Sequence, residues 1–516
     1  GTTRFKVMRL WRFQPLAAPC SICEKNGTIS CEKIKQAIGK NTKAIVCTHA
    51  SNVTGDGNDI AQIGTLCEKY NLYFILDASQ TAGTIEIDME QNHISAICFT
   101  GHKGLFGPQG TGGIALADGV CVKPLLSGGS GVHSFERKHP MELPAALEAG
   151  TLNGHGIAGL HAALDWIKKT GIAAIHEKEM ALAEQFQRGI ETIPGIHLYG
   201  GEKRVAAIVS CNLADLDSAY VSDCLAEDYG IATRAGVHCA PLMHTHFGTE
   251  KQGMVRFSFS CFNTTEEVEK AVRAMQDIAA ENRGKVTAYV GAGGKTSSIR
   301  KRAETLRAEG KRVLILTTTK MMVPQEQEIF AAYEQTGQES VISATASVWQ
   351  ERRAAEKQLK ERVQSVLDTY GCCVAGSLIP GTEKFGMLPE KLMEDLLYLA
   401  DEILIEADGS AHMPVKAPAE HEPVLFPYMD EVVIVMGAHA IGKPLQKVCH
   451  RVDYAKKILK CDADKIVTAA DIRALAEQGY AIPIQKQFPW MKISKVTGKD
   501  IKLCLTAEKK DKVRDK

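Results

Sequence analysis

An aspartate and a lysine at the ends of two predicted strands have complementary chemistry. Asp77 follows the apolar run at residues 72–76, and Lys103 precedes the glycine-rich stretch GLFGPQGTGG. A partly neutral lysine amine can form a Schiff base, and a carboxylate can keep a pyridine nitrogen protonated. These two groups would therefore suit pyridoxal phosphate (PLP) chemistry. Taken alone, an aspartate and a lysine are better explained as a surface ion pair.

Three motifs surround this pair, in the order THASNVTG, DASQTAG and FTGHKGLFGPQGTG. Together they resemble the class V aminotransferase family of fold-type I PLP enzymes, in its cysteine desulfurase and selenocysteine lyase branch. The resemblance extends over residues 25–280. It implies an α/β PLP-transferase large domain, of which part is predicted at residues 1–160, and a small α+β domain at residues 161–284.

The same resemblance implies the residues of a cofactor site. Lys103 would form the Schiff base with PLP, and Asp77 would pair with its pyridine nitrogen. His102 would hold the cofactor phosphate and act beside Lys103 in catalysis. The remaining cofactor contacts would be Gln80 at the ring hydroxyl, Asn52 near the ring and the substrate, and Thr151 at the phosphate of the partner subunit's cofactor. A shared phosphate site implies a homodimer.

The segment RAGVHCAPLMH at residues 234–244 resembles the family's cysteine loop. The resemblance implies that Cys239 receives sulfur as a persulfide, with Arg234 and His238 nearby in sequence. The other interpretation is a buried structural cysteine. Arg256 matches the arginine that binds the substrate α-carboxylate, a task that suits a guanidinium group. Arg234 and Asn52 would also contact the substrate, L-cysteine or L-selenocysteine, and an acceptor protein would take the sulfur or selenium.

The start of the chain departs from this family's pattern. TRFKVMRL stands where the family has a string with a histidine that stacks on the cofactor ring, which puts Phe5 in that place. In the family, a phosphate-binding cup precedes this string. We therefore predict that this chain alone binds PLP weakly or not at all, and that an intact parent protein binds it.

A glycine turn between a predicted strand and helix marks a second candidate site. The strand covers residues 285–290, and the helix extends to residue 308. Backbone N–H groups at such a turn form an anion site, to which Lys295 adds charge and at which Thr296 could bind Mg²⁺. Tyr289 stands where the Walker pattern requires its first glycine. Nucleotide binding and a merely tight turn therefore both remain open.

Further polar residues follow two other predicted strands. DEILIEADGS brings Glu406 and Asp408 to a strand end, and KRVLILTTTKM ends a strand in threonines. Ligands of α/β folds bind at the carboxyl ends of the strands. VGAGGKTS, TTTKM, EADGS, KAPAEHEP and GKPL together resemble the YqeC family of selenium-dependent hydroxylase accessory (selenium cofactor biosynthesis) proteins, over residues 286–475.

This second resemblance implies a P-loop-like α/β nucleotide-binding domain at residues 285–480, which helps mature selenium-dependent molybdenum hydroxylases. ATP or GTP would contact Gly291, Gly293, Gly294, Lys295, Thr296 and Asp408, with Mg²⁺ on Thr296 and Asp408. Weaker candidates are Lys416 and His421, whereas His450 is interpreted as a surface helix residue. Residues 481–516 depart from the family and are predicted to form an atypical charged tail.

Composition limits the classes of partner. The 516 residues include 61 Lys+Arg and 61 Asp+Glu, which argues against nucleic acid or an anionic membrane as a partner of the whole chain. No apolar run reaches the roughly 18 residues that span a bilayer. The 16 cysteines are scattered and fit a reducing cytoplasm rather than a disulfide framework. Cys372 and Cys373 are predicted to be buried thiols, and a metal site at Cys20 and Cys23 is the less favoured interpretation.

Three functions are compatible with these patterns. In the first, a desulfurase-like unit extracts sulfur or selenium, and the second unit uses it to mature a selenium-dependent hydroxylase. In the second, an inactive desulfurase remnant serves as a dimerisation or docking module for a nucleotide-binding accessory protein. In the third, only the second unit acts, as an NTPase-type metallochaperone.

Overall fold

The computed structural model describes residues 27–133, 135–334 and 346–498, and the chain divides into two compact units between Ile278 and Ala279. This division lies inside a helix, slightly before the boundary predicted after residue 284. The predicted boundary at residue 160 also falls inside a helix, Gly154–Thr170. In the described part of the chain, no helix is long and apolar enough to cross a membrane.

The first unit combines two sheets with flanking helices. Its strands are β1 (Ala44–Thr48), β2 (Tyr73–Asp77), β3 (Ala96–Thr100), β4 (Gly112–Leu116), β5 (Ile196–Tyr199), β6 (Ile208–Leu213) and β7 (Val255–Ser258). Its helices are α1 (Cys31–Ala37), α2 (Ile60–Lys69), α3 (Gly154–Thr170), α4 (Ile172–Ile190), α5 (Ser218–Tyr229), α6 (Pro241–Phe247) and α7 (Thr265–Asn282), with a 3₁₀ turn at Ala145–Leu147.

Parallel pairing brings the ends of three strands to one sheet edge. The first sheet has the order β1-β2-β3-β4, in which β1, β2 and β3 are parallel and β4 is antiparallel. Asp77 pairs with Thr48 on one side and with Cys98 on the other. The loops that follow β1, β2 and β3 therefore meet beside Asp77. The second sheet, β5-β6-β7, is antiparallel throughout.

The predicted helix signals are present as hydrogen bonds. Asp59 caps α2, since its side chain accepts from the Gln62 backbone N–H. Thr264 and Glu267 form the predicted capping box of α7: each backbone N–H donates to the other residue's side chain, at 3.0 and 3.2 Å. These contacts show why the helix starts could be predicted from sequence alone.

The second unit is built on one large sheet and a separate two-stranded sheet, which consists of Val415–Lys416 and Cys449–His450. Its strands are β8 (Lys285–Gly291), β9 (Val313–Thr317), β10 (Lys320–Met322), β11 (Phe330–Tyr333), β12 (Cys372–Leu378), β13 (Lys384–Gly386), β14 (Glu402–Glu406), β15 (Val415–Lys416), β16 (Glu431–Gly437), β17 (Cys449–His450) and β18 (Lys492–Gly498). Its helices are α8 (Lys295–Ala308), α9 (Ala346–Tyr370), α10 (Glu390–Leu396), α11 (Leu445–Val448), α12 (Val452–Leu459), α13 (Ala469–Ala474) and α14 (Ile482–Gln487), with 3₁₀ turns at Gln327–Ile329 and Ala438–Ala440 and a π-helix at Leu475–Ala481.

The order of this sheet is β10-β13-β12-β9-β14-β8-β16-β18, with β11 also paired to β12. Neighbours from β12 to β18 are parallel. Strand β8 therefore lies between β14 and β16, and the loops after β8 and β14 leave the same edge. Cys372 and Cys373 are 4% and 0% exposed in β12, which confirms them as buried thiols.

Strand β18 extends the sheet beyond the predicted end of the domain. It pairs with β16 along its length, from Lys492 opposite Glu431 to Gly498 opposite Gly437. Residues 482–498 therefore belong to the sheet unit, and an atypical tail beginning at residue 481 is wrong for this segment. The departure of this segment from the family's pattern did not exclude a strand, because an edge strand pairs through its backbone and needs few apolar side chains.

Glu179 is a buried carboxyl group in α4, 7% exposed. It accepts a hydrogen bond from the Cys261 backbone N–H at 3.1 Å. Burial raises the pKa of Glu179 from 4.5 to about 7. The folded protein therefore holds this proton more tightly than the unfolded chain does. The contribution of Glu179 to the free energy of unfolding accordingly declines as the pH rises from 4.5 to about 7.

We predict that Glu179→Gln increases the free energy of unfolding by about 1–3 kcal/mol at pH 8, and by less at pH 5, because glutamine has no proton to lose. Urea denaturation followed by circular dichroism at both pH values measures this. Glu184→Gln, an exposed change on the same helix, should alter stability by less than about 0.5 kcal/mol. A loss of stability in Glu179→Gln at pH 8 would contradict the assignment.

Candidate functional sites

The turn after β2 packs directly against the loop that carries Lys103. Gly83 has a φ of 91°, and a Cβ atom there would lie 2.2 Å from the Gly104 carbonyl oxygen. Only glycine permits this approach. Within the same turn, the Asp77 carboxylate accepts a hydrogen bond from the Ser79 backbone N–H at 2.9 Å. Backbone contact thus sets the position of Asp77 relative to the Lys103 loop.

The Lys103 side chain is accessible to solvent, but the protein around it lowers its pKa. Partial burial is the largest cause. The Asp77 carboxylate raises the pKa, whereas the Arg256 guanidinium lowers it, and smaller effects come from Cys239 and Arg234. The charges of Asp77, of Arg256 and of the cysteine loop therefore all act on the Lys103 amine. A lowered pKa favours the neutral amine that Schiff-base formation needs.

Two arginines lie side by side near Lys103. The backbones of Arg234 and Arg256 form a bridge, with N···O distances of 3.2 and 2.9 Å. Arg256 is half-buried and donates to the Asn52 carbonyl oxygen at 3.0 Å. Burial and then the neighbouring Arg234 charge lower the pKa of Arg256. Two adjacent guanidinium groups would bind a carboxylate favourably, since an anion relieves their repulsion.

Cys239 is exposed in the loop that follows Arg234. Its Sγ atom lies 3.9 Å from Arg234 Nη2. By contrast, Cys47 and Cys211 are buried, and burial raises the pKa of each thiol to about 12. The interpretation of Cys239 as a buried structural cysteine is therefore wrong.

The other residues predicted for this site have separate environments. His102 is exposed, with Nδ1 2.7 Å from Thr100 Oγ1. Gln80 is half-buried in the turn after β2, and Thr151 is exposed in the segment before α3. Asn52 donates to the His238 carbonyl oxygen at 2.6 Å, which links the loop after β1 to the cysteine loop. Phe5 and the Cys20–Cys23 pair lie outside the described residues.

In the second unit, the glycine turn is enclosed by backbone. Gly291 and Gly293 have φ values of 93° and 81°, and Gly294 has 120°. A Cβ atom at Gly291 would lie 2.2 Å from the Val435 carbonyl oxygen, and one at Gly293 would lie 2.4 Å from that of Pro414. These two glycines are therefore required by close packing as well as by their dihedral angles.

Lys295 begins α8 but points into the protein, with 4% exposure. Its Nζ atom donates to the Gly291 carbonyl oxygen at 2.7 Å and lies 3.3 Å from Asp408 Oδ1. The other oxygen, Asp408 Oδ2, accepts from the Gly291 N–H at 3.1 Å and from the Tyr480 hydroxyl at 2.9 Å. The protein's own carboxylate thus binds the amide and the lysine that would otherwise contact an anion.

A chain of alternating charges continues from Asp408. Lys416, with 0% exposure, lies 3.3 Å from Asp408 Oδ2 and 2.7 Å from Glu422 Oε2. Glu422 also pairs with Arg451 at 2.8 Å, and these two cations lower the pKa of Glu422 against the effect of burial. Every buried charge in this row therefore has a partner of opposite sign.

Thr296 is hydrogen-bonded to Glu406, not to Asp408. The Thr296 hydroxyl donates to Glu406 Oε2 at 2.8 Å. Glu406 lies between Tyr289 and Thr317 in the sheet register, and burial raises its pKa. The structure thus places Thr296 and Asp408, the residues predicted to share Mg²⁺, in different hydrogen-bond networks.

Comparisons with known proteins match the two units to different families. Residues 20–271 match the family model described as Aminotransferase class-V, and residues 287–453 match the model described as YqeC protein. The chain joins a class-V aminotransferase domain to a YqeC domain. These matches confirm both family resemblances, and the class-V domain confirms the mixed α/β fold class predicted for the first unit.

Relatives of the class-V domain are named cysteine desulfurases. One, a probable cysteine desulfurase of Methanothermobacter thermautotrophicus, is 33% identical over 261 residues, 50% of this chain and 65% of that protein. The cysteine desulfurase of Shigella flexneri is 31% identical over 258 residues, 49% of this chain and 62% of that protein. The apo structure of the Thermococcus onnurineus NA1 cysteine desulfurase covers 50% of this chain and 65% of its own, at 29% identity and a TM-score of 0.46. The chain spans less than two thirds of the length of these relatives.

One residue of the class-V site that sequence reasoning did not single out is His49. It follows β1, is 7% exposed, and has Nδ1 2.9 Å from the Thr81 hydroxyl. Burial lowers its pKa to about 4, so the ring is neutral at pH 7. The bond ties the loop after β1 to the turn after β2. His49 lies within the THASNVTG motif, but its hydrogen-bond partner Thr81 is 32 residues away, so the motif alone does not predict this contact.

The YqeC site also contains residues that sequence reasoning missed. Tyr480 comes from the π-helix, 72 residues from Asp408, and no local pattern connects the two. Glu422 lies in the KAPAEHEP motif. The residue predicted from that motif is its neighbour His421, which is exposed. His450 is a half-buried residue of β17 paired with Lys416 in the register, so its interpretation as a surface helix residue is wrong.

We predict that Asp408→Asn lowers the free energy of unfolding of the YqeC domain by about 3 kcal/mol, because Lys295 loses its only ion-pair partner in the described part of the chain. Guanidinium denaturation measures this change. Glu361→Gln is the matched control, because its pair with Lys357 is 3.9 Å long and exposed. That control should change stability by less than about 1 kcal/mol, and equal effects of the two variants would contradict the prediction.

Proposed function

We propose that the class-V domain removes sulfur from L-cysteine with PLP as cofactor and carries it as a persulfide on Cys239. The observation that carries this proposal is the exposed Cys239 thiol next to Arg234, within a group of charges that includes Asp77 and Arg256 and acts on Lys103. The same groups would serve L-selenocysteine, with selenium in the place of sulfur.

The residues present fit the ring end of PLP. We assign Asp77 to the pyridine nitrogen, because its carboxylate lies at the sheet edge beside the Lys103 loop. Lys103 would attach the cofactor, Gln80 would face its ring hydroxyl, and His102 would face its phosphate. When bound, PLP supplies the electron sink that allows bonds at the substrate's carbons to break.

With PLP as the electron sink, sulfur transfer consumes only the substrate and one thiol. Cys239 Sγ, as a thiolate, attacks the sulfur of L-cysteine; the carbon–sulfur bond breaks and a sulfur–sulfur bond forms. The former Cβ of the substrate gains a proton, so L-cysteine and the Cys239 thiol give L-alanine and the Cys239 persulfide. Arg256 and Arg234 would hold the substrate carboxylate, and the Asn52 side chain would keep the cysteine loop beside them.

A homodimer and an acceptor protein complete the proposal for this domain. Several large apolar side chains between residues 125 and 152 are exposed, among them Phe135, Met141 and Leu143. Such a surface is typical of a protein contact. The exposed Thr151 in the same segment is assigned to the cofactor phosphate of the partner subunit. The solvent-facing Cys239 would pass its sulfur to an acceptor protein in the cytoplasm.

For the YqeC domain we propose binding of ATP or GTP at the P-loop-like turn of Gly291, Gly293 and Gly294. Support comes from the turn's positive φ angles and from Lys295 and Thr296 at the first positions of α8. Among the described residues, no group of three or more His, Cys, Asp or Glu side chains could hold a metal ion. The predicted Mg²⁺ ion would be bound by phosphate oxygens and Thr296, beside Glu406, whose carboxylate accepts from the Thr296 hydroxyl at 2.8 Å.

Joined in one chain, the two domains would place a sulfur or selenium donor next to a nucleotide-dependent acceptor step. Fusion raises the effective concentration of the donor. We propose that the product serves the maturation of selenium-dependent molybdenum hydroxylases, a role that rests on the resemblance of the second domain to YqeC proteins.

We predict that the chain, whose affinity for PLP is expected to be weak, forms L-alanine from L-cysteine only when PLP is in large excess, and that Cys239→Ala reduces this rate at least about 100-fold while leaving PLP absorbance unchanged. Lys103→Ala should remove both the activity and the protein-bound absorbance. Cys121→Ala, another exposed thiol, is the control and should keep full activity. PLP uptake without alanine formation in the unmodified chain would instead support an inactive docking module.

We predict that Lys295→Ala weakens nucleotide binding at least about tenfold, because an ammonium–phosphate contact is lost. Titration calorimetry with ATP and with GTP, each with Mg²⁺, measures the affinity and the preference. Lys301→Ala, an exposed lysine on the same helix, should leave the affinity within about twofold. No heat with either nucleotide in the unmodified chain would reject the nucleotide site.

A further inference from the structure

His238 is the buried residue directly before the exposed Cys239. It is 3% exposed, and its ring Nε2 lies 2.9 Å from the Arg234 carbonyl oxygen. A carbonyl oxygen only accepts hydrogen bonds, so Nε2 carries the proton. Burial lowers the pKa of His238 to about 4, and the ring is therefore neutral at pH 7. The hydrogen bond from the neutral His238 ring to the Arg234 carbonyl oxygen thus joins the two ends of the segment from Arg234 to His238.

The backbone of His238 makes a second connection. Its carbonyl oxygen accepts a hydrogen bond from Asn52 Nδ2 at 2.6 Å, and the Asn52 carbonyl oxygen accepts one from Arg256 Nη1 at 3.0 Å. Arg256 is in turn paired with Arg234 through the backbone bridge. His238 therefore closes a ring of contacts that includes both arginines and the loop after β1.

The turn at His238 and Cys239 needs contacts of this kind to hold its conformation. His238 and Cys239 have φ values of 54° and 58°, in the left-handed region that L-residues adopt only at a cost in free energy. This conformation directs the backbone so that Cys239 is exposed while His238 stays inside. The thiol then lies 3.9 Å from the Arg234 guanidinium.

We infer that His238 is a positioning residue, whose neutral ring and carbonyl oxygen hold the His238–Cys239 turn and present the Cys239 thiol to Arg234. The role of Cys239 as sulfur carrier belongs to the proposed function on which this inference rests. The placement of the thiol, however, can be measured without turnover. Nearby His244 provides a comparison: its ring stacks on His238 at 5.8 Å, but its hydrogen bond goes to Thr249.

The test is the rate at which iodoacetamide alkylates Cys239 at pH 7 in the full chain, divided by the rate at the exposed Cys121 and read by peptide mass spectrometry. In His238→Leu this ratio should fall about fivefold, because the thiol is no longer held in its exposed position beside the Arg234 guanidinium. His238→Gln, whose amide N–H can reach the Arg234 carbonyl oxygen, should restore the ratio to within about twofold of the unmodified chain. His244→Gln should leave it unchanged.

A ratio in His238→Leu within about twofold of the unmodified chain, or an equal fall in His238→Gln, would overturn the inference. If His238→Leu does not fold, Asn52→Ala removes the second connection from outside the loop and should lower the ratio in the same direction; an unchanged ratio there would overturn it too. Alanine formation is measured in parallel. PLP uptake without alanine formation in the unmodified chain rejects the proposed desulfurase function, whereas the alkylation ratios still decide the role of His238.

Discussion

Both candidate sites depend on one constraint, the alignment of parallel strands whose carboxyl ends meet at a sheet edge. In the class-V domain, the pairing of β2 with β1 and β3 places Asp77 between the loops that follow β1 and β3. The contact of Gly83 with Gly104 packs the turn after β2 directly against the loop after β3. In the YqeC domain, the position of β8 between β14 and β16 encloses the glycine turn in the same way. At each sheet edge, the packing of the backbone therefore determines which functional side chains lie together.

The two sites differ in the exposure and the pairing of their charged side chains. The class-V site leaves Arg234 and Cys239 exposed and brings two arginines together, an arrangement that a bound carboxylate group would stabilise. The YqeC site buries Lys295, Asp408 and Lys416 in a row in which each charge is already paired. An anion that binds there must compete with Asp408 for the Gly291 amide and for Lys295. The first site is open to solvent, whereas the second is closed by its own carboxylate.

Local signals in the sequence predicted local structure well. The caps of α2 and α7, the strand ending at Asp77 and the glycine turn before α8 could all be predicted, because each depends on neighbouring residues. Contacts between distant segments could not. The bonds of His49 to Thr81 and of Tyr480 to Asp408 join segments that no spacing rule connects. The same limit explains β18, whose place in the sheet depends on its backbone and not on its composition.

The central claim is that Cys239 carries sulfur taken from L-cysteine. The most direct measurement is the intact mass of the protein, and of its Cys239 peptide, after reaction with PLP and L-cysteine without a reducing agent. The account predicts that one sulfur atom is added to Cys239, and that the addition is absent in Lys103→Ala. L-Alanine formed while Cys239 stays unmodified under these conditions, or sulfur added equally in Lys103→Ala, would contradict it.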